Sequence, residues 1–322
     1  MSTGEAEGRV LALCGGVGGA KLALGLGALL PAGRLTIVVN TGDDFEHLGH
    51  TICPDLDTVT YTLASVVDRE QGWGRANESW TALTELERHG GDTWFRLGDK
   101  DLGLHLMRRS LLDQGRSLSE VTAALSDSFG IRQAIVPMTN DKLRTYVETE
   151  QGILAFQHYF VRERCAPRVR RVIYAGAETA QPSPPFAEAL SDPNLAAVII
   201  CPSNPYLSID PILSLKGVSE QLQRLAVPVI AVSPIIGGEA VKGPTAKIMD
   251  ELGLVPSAAA IARHYQDLLT GYVADPDDSA EVAATVPTLS LVGCNILMSS
   301  LASKVELARR CLHFAVELAS RP

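Results

Sequence analysis

The chain has 322 residues, room for one elaborated domain or two modest ones, and its 46% apolar and 20% charged residues exclude global disorder. Aromatic residues are only 5%, so the core must come from Leu, Val, Ile and Ala, which favours alternating strands and helices. With 28 basic and 37 acidic residues the net charge is −9, which repels a phosphate backbone and excludes a general nucleic-acid binder.

Residues 9–14 (RVLALC) read as a buried strand, 15–19 (GGVGG) as the turn after it, and 20–30 as a helix that Pro31 stops. A second strand over 35–39 ends at Asn40-Thr41-Gly42-Asp43-Asp44, completing a β-loop-α-β unit. In such units ligands bind at the carboxyl ends of the strands. Acidic clusters Asp55/Asp57 and Asp99/Asp101 then precede helices expected over 58–67 and 102–112. Strands follow over 131–136, 196–201 and 227–232, the second ending at Pro202-Ser203-Asn204-Pro205. Residues 145–149 and 153–156 flank Glu150-Gln151-Gly152 as a hairpin, and 299–319 read as a closing helix. The expected fold is a Rossmann-like α/β domain over 9–322, a mostly parallel sheet flanked by helices. Its core lies at about 9–139 and 190–322, with a candidate inserted subdomain at about 140–190.

The six cysteines form no C-x-x-C pair and read as reduced thiols. Residues 1–8 lack an apolar signal core and no apolar run approaches ~18 residues, so a cytoplasmic protein without a membrane partner is expected.

The glycine turn fits neither standard phosphate template. Lys21 is followed by Leu22 rather than a hydroxyl residue, and Lys21 stands where a dinucleotide fingerprint needs its third glycine. Gly15, Gly16 and Gly18 nonetheless suit a phosphate contact at a helix N-terminus. Carboxylates at helix starts are commonly caps, but Asp43 and Asp57 would share the sheet edge with the glycine turn, which suggests Mg²⁺ completed by substrate phosphates. The Asp275/Asp277/Asp278 group reads as a solvated loop, and the arginines at 162, 164, 168, 170 and 171 as a solvated face or subunit contact. Lys242 and Lys247 flank a Gly-Pro turn suited to phosphate. Trp73, Trp80 and Trp94 fall within 22 residues, inviting a flat heterocycle or forming a local core.

Read in order, Gly15-Gly16-Val17-Gly18-Gly19-Ala20-Lys21-Leu22, Asn40-Thr41-Gly42-Asp43-Asp44, Cys53-Pro54-Asp55-Leu56-Asp57-Thr58-Val59, Leu97-Gly98-Asp99-Lys100-Asp101, Pro202-Ser203-Asn204-Pro205 and Ser233-Pro234-Ile235-Ile236-Gly237 resemble the motif series of the CofD/FbiA 2-phospho-L-lactate transferases of coenzyme F420 synthesis. The resemblance implies Mg²⁺-dependent transfer of a phosphorylated three-carbon acid from a guanosine-diphosphate-linked donor to the ribityl hydroxyl of the deazaflavin FO, with GMP leaving. The acid is 2-phospho-L-lactate or its phosphoenolpyruvate or phosphoglycerate analogue. It further implies that Asp57 and Arg96 contact FO and that the chain forms a homodimer. Asp43 and Asp57 are the candidate metal ligands and catalytic carboxylates; Gly15, Gly16, Gly18, Asn40, Ser203, Asn204 and Lys242 are the other candidate substrate contacts. Asn140 and Asn295 stand where relatives carry acids and are left out of the metal site. A nucleotide-sugar-binding regulator of the YvcK-like branch is the alternative. It is disfavoured because Phe45-Glu46-His47-Leu48-Gly49 replaces that branch's Gly-Ser-Ser-Gly-Arg stretch. A nicotinamide-dependent oxidoreductase is weakened by Lys21.

Overall fold

Seven strands, in chain order β1 (Arg9–Cys14), β2 (Leu35–Val39), β3 (Ala134–Pro137), β4 (Leu195–Ile200), β5 (Val229–Val232), β6 (Gly271–Ala274) and β7 (Ser290–Gly293), form one sheet in a computed structural model that describes residues 8–240 and 243–321. They lie in the order β7-β6-β5-β4-β1-β2-β3, and every neighbouring pair is parallel. The chain therefore winds from β1 outward to one edge, returns, and winds from β4 to the other, reversing direction between β1 and β4.

The apolar runs explain the two-sided burial. Along β1, Val10, Ala12 and Cys14 pack with α1 (Val17–Leu29) and the closing helix Leu301–Ala319, while Leu11 and Leu13 enter the core on the other face. A strand buried on both sides needs no polar alternation, which is why RVLALC carries none after Arg9. Where α1 meets the closing helix, a Cβ at Gly25 would collide with the Lys304 carbonyl.

Three helix starts lie earlier than the sequence expectation. α1 begins at Val17 rather than 20, α2 (Pro54–Leu63) at 54 rather than 58, and, beyond the exposed helix α3 (Thr81–Arg88), α4 (Asp99–Asp113) at 99 rather than 102. Proline suits the first helical position, because its fixed φ is helical and the N–H it lacks would have no partner there. Pro54 therefore opens α2 and draws Asp55 and Asp57 into its first turn, both buried. Gly18 and Gly19 likewise fall inside the first turn of α1. The glycine at 18 answers a close approach: a Cβ there would collide with the Pro202 carbonyl.

Between β3 and β4 the chain leaves the sheet. Gly152–Ala155, Arg144–Thr149 and Val169–Ala175 form a separate antiparallel sheet in that order, so the expected hairpin gains a third strand. Val147, Phe156, Tyr159 and Val169 pack into the same core as Leu11 and Leu13, which fastens this excursion to the main sheet. Helix α5 (Leu118–Ser128) carries a capping box between Ser117 and Glu120 and packs on α4. Among the described residues no helix is long and apolar enough to cross a membrane.

Gly18→Ala is expected to destabilise the fold by about 1–3 kcal/mol, the usual cost of forcing atoms into packed space. Urea unfolding checks this: the midpoint should fall at constant m. An unchanged midpoint would mean that the loop after β4 yields and that the close approach is no constraint.

Candidate active site

Because the chain reverses direction between β1 and β4, the loops after these strands part and leave a crevice at the carboxyl edge of the sheet. A cavity of about 630 Å³ opens there. Its lining has two chemical halves. Gly16, Gly18 and Lys21 follow β1, Pro202, Ser203 and Asn204 follow β4, and Asp43, Asp55 and Asp57 add carboxylates. Trp73, Trp94, Phe95, Phe156 and Phe160 supply rings, with Arg96 and Arg164 among them.

The structure thus brings Gly16, Gly18, Asp43, Asp57, Arg96, Ser203 and Asn204 to one cavity. Gly15 and Asn40 stand behind it. The Gly15 N–H donates to Ser203 Oγ at 3.0 Å, tying the two loops together. Asn40, fully buried, donates from Nδ2 to Asp55 Oδ2 at 3.0 Å and to the Leu207 carbonyl at 3.3 Å, and its Oδ1 accepts the Gly42 N–H at 2.8 Å. Its amide therefore positions other groups. Asn204 Oδ1 accepts the Tyr206 and Leu207 N–H groups at 3.0 and 3.1 Å, while its buried Nδ2 has no partner. Lys242 lies outside the described residues.

The carboxylates are not equivalent. Asp43 is buried, its Oδ1 has no hydrogen-bond partner, and burial, reinforced by the neighbouring Asp55 charge, pushes its acid well above the usual range. Burial lifts Asp44 to about 7 against the opposing charge of Arg144, and Asp55 to about 6 against the hydrogen bond from Asn40. Asp57 already has its cation. Buried Arg108 on α4 grips it through both guanidinium nitrogens, Nη1 donating to Oδ2 at 3.1 Å and Nη2 to Oδ1. That clamp commits one lone pair of each Asp57 oxygen to Arg108 and leaves the others facing the cavity. Among the described residues no three His, Cys, Asp or Glu side chains gather to hold a metal ion. Asp43 and Asp55 carry no such guanidinium, and a hard cation beside them would relieve the repulsion between their charges. Two protein carboxylates suit Mg²⁺, which usually keeps water and substrate oxygens for its other positions.

Several residues were misplaced or missed by the sequence reading. Trp80 lies under the Arg96 guanidinium, 4.3 Å from the ring centroid, and only Trp73 and Trp94 reach the cavity. Asp99 accepts the Thr81 and Ala82 N–H groups at 3.1 and 3.0 Å and so caps α3. Asp278 is buried rather than solvated: its carboxylate accepts the Gly237 N–H at 3.1 Å and anchors the turn after Ser233-Pro234. Lys247 pairs with Glu251 at 2.5 Å instead of facing the cavity. Of the five arginines, Arg164 lines the cavity, and Arg171 pairs with Glu148 at 2.9 Å. Asn140 Oδ1 accepts from the Ser119 N–H at 2.9 Å in the first turn of α5, and Asn295 Oδ1 from the Leu297 N–H at 2.9 Å in its own loop. Tyr61, Asp101 and His105 also line the cavity. The signal for them was the spacing of Asp101, His105 and Arg108, which a helix places on one face.

A doubly wound sheet with a glycine turn, a helix N-terminus and acidic groups at its switch point is the arrangement of α/β proteins that take phosphorylated ligands at the carboxyl edge of the sheet. The family model of the 2-phospho-L-lactate transferase CofD matches residues 10–291, and the chain belongs to that family. It is 39% identical over 318 residues to a phosphoenolpyruvate transferase of Kitasatospora aureofaciens, with 96% of this chain and 98% of that one covered. A 2-phospho-L-lactate transferase of Methanosarcina mazei is 39% identical over 299 residues, covering 91% and 96%. The chain is thus a transferase of the family that moves a phosphorylated three-carbon acid onto FO in coenzyme F420 synthesis. In fold it is similar to a crystallised Bacillus halodurans protein, at TM-score 0.59 and 16% identity, with 94% of this chain and 99% of that one covered.

Asp44 yields a pH prediction with a definite sign. Its carboxyl is near 3.8 ordinarily and about 7 when folded. Between those values the native state holds the extra proton, so its contribution to stability falls as pH rises from about 4 to about 7. In chelator-treated protein, Asp44→Asn should therefore stabilise at pH 8 by on the order of a few kcal/mol, with the gain shrinking towards pH 4. Urea melts at both pH values check this; an equal offset at each would show that Asp44 does not titrate in that window.

Proposed function

We propose that this chain transfers a phosphorylated three-carbon acid from a guanosine-diphosphate-linked donor to the ribityl hydroxyl of FO, releasing GMP. The observation that carries this reading is the single cavity in which a glycine turn, clustered carboxylates and an aromatic lining meet. The relatives' names supply phosphoenolpyruvate and 2-phospho-L-lactate as the acids.

The chemistry follows from the lining. The diphosphate lies at the N-terminus of α1, where the backbone N–H groups after Gly16 have no earlier carbonyl to bond and no side chain at Gly16 or Gly18 covers the backbone. Lys21 and Arg164 add positive charge for the phosphates and the acid. The rings of Trp73, Trp94 and Phe95 hold the flat deazaflavin, with Arg96 at its polar edge. Asp57 accepts the ribityl hydroxyl's hydrogen bond through the lone pairs that Arg108 leaves free. The hydroxyl oxygen then forms a bond to the phosphorus bearing the acid, the bond from that phosphorus to the GMP oxygen breaks, and the hydroxyl proton passes to Asp57. Catalysis in such transfers is mostly positioning and charge neutralisation. Mg²⁺ held by Asp43 and Asp55 would supply charge neutralisation at the phosphates, and its removal by chelation should abolish turnover. A cytoplasmic homodimer completes the proposal, supported by the family resemblance alone.

Incubating the protein with FO, Mg²⁺ and each guanylylated acid should yield GMP and the phosphodiester by mass spectrometry. No product with any donor would overturn the proposal. Asp57→Asn should lower kcat by roughly 10²-fold or more in folded protein, and should also lower the melting temperature, because buried Arg108 loses its counter-charge. Wild-type kinetics would reduce Asp57 to a helix-start carboxylate. Arg96→Ala is expected to weaken FO binding by about 10-fold, some 1.4 kcal/mol, in a titration of deazaflavin fluorescence. An unaltered titration would remove Arg96 from the FO site.

A further inference from the structure

Arg108 is absent from the cavity lining, yet the groups that do line it on this side converge on its guanidinium. It donates to both oxygens of Asp57, to the Thr51 carbonyl at 3.3 Å and, through Nη1, to His105 Nδ1 at 3.0 Å. A histidine that accepts at Nδ1 carries its proton on Nε2, and Nε2 lies 3.5 Å from Asp101 Oδ1. Asp101 Oδ1 in turn accepts the Tyr61 hydroxyl at 2.5 Å. Tyr61, Asp101, His105 and Asp57 all face the cavity, and α2 and α4 supply the whole chain of contacts.

We propose that Arg108 is the positioning residue for Asp57: its planar fork fixes the plane and rotamer of the carboxylate that receives the FO hydroxyl. The inference rests on the reading of Asp57 as the acceptor-binding group. A bidentate guanidinium holds a carboxylate in one plane, which a point charge on a flexible stem does not. Stability alone is a weak reason for such a pair, because apolar residues of similar size often replace a buried ion pair without loss. Here the pair also fixes the His105 tautomer and ties together two helices that each contribute cavity side chains. Arg108 thereby acts on the reaction without touching a substrate.

The test is a double-mutant cycle in the full chain, scored by kcat and by the KM values for FO and for the guanylylated donor. Asp57→Asn and Arg108→Met should each lower kcat/KM for FO by about 10²-fold or more, with the donor KM within about 3-fold of wild type. The double variant should be no worse than the poorer single one, since both remove the same function. Additive losses, or equal losses in both KM values, would overturn the proposal. Arg108→Lys covers the case in which Arg108→Met does not fold: it keeps the charge, removes the fork and should still lose at least about 10-fold in kcat/KM for FO. Wild-type kinetics in folded Arg108→Lys would sink the inference. Wild-type kinetics in Asp57→Asn would instead sink the reading on which it rests, and the Arg108 role with it.

Discussion

Burying carboxylates is the constraint around which the site is organised. Asp43, Asp44, Asp55 and Asp57 are all less than a tenth exposed, and an ionised carboxyl taken from water without a partner costs several kcal/mol. The structure meets each case differently. Asp57 receives a full guanidinium, Asp55 one amide hydrogen bond, and Asp44 chiefly the more distant charge of Arg144. Asp43 and Asp44 each keep an oxygen with no partner. The ordering matters functionally, since a carboxylate already matched to arginine suits orientation, whereas the repelling Asp43 and Asp55 suit a cation.

The topology explains why these acids meet. Asp43 and Asp44 follow β2, Asp55 and Asp57 open α2, and the glycine turn follows β1, so all of them stand at the carboxyl edge of adjacent strands. Ser203 comes from 188 residues further along the chain, yet β4 lies directly beside β1 and brings its hydroxyl to the Gly15 N–H. The close contact at Gly18 belongs to the same geometry: a residue with a side chain there would hold the loop after β4 away from α1 and widen the crevice.

This edge was legible in the sequence because its signals are local. Short apolar runs ending in glycine or acidic residues gave β1, β2 and β4 within about two residues, and the parallel sheet follows from their two-sided apolarity. Pro54 was the misread signal: taken as a lead-in, it is the first helical residue, and the error placed Asp55 and Asp57 outside the helix that orients them. Arg108 was invisible for another reason. It lies 51 residues from Asp57, and an arginine in a helix reads as a solvated charge until packing shows that its face is buried. Arg164 was hidden by its neighbours: it is exposed like the four other arginines of its segment, and only the fold brings it to the cavity.

Charge ties the two halves of the cavity together. The chain's net −9 would repel a donor bearing a diphosphate and a carboxylate, and the lining itself carries Asp43, Asp55, Asp57 and Asp101. Bulk charge is nevertheless a poor guide at this range, because fields beyond about 8–10 Å are screened in physiological salt whereas buried pairs are not. Inside the cavity the balance is set by neighbours: Arg108 cancels Asp57, the hydrogen bond from Tyr61 and the nearby His105 serve Asp101, and Lys21, Arg96 and Arg164 add cations. What is left over is the Asp43 and Asp55 pair. An anionic donor settles best where the repulsion of that pair is relieved, by protons on the raised carboxyls or by the cations that line the same cavity. The raised carboxyls of Asp43 and Asp55, rather than arginine-clamped Asp57, are therefore where a proton or a positive charge relieves the most repulsion.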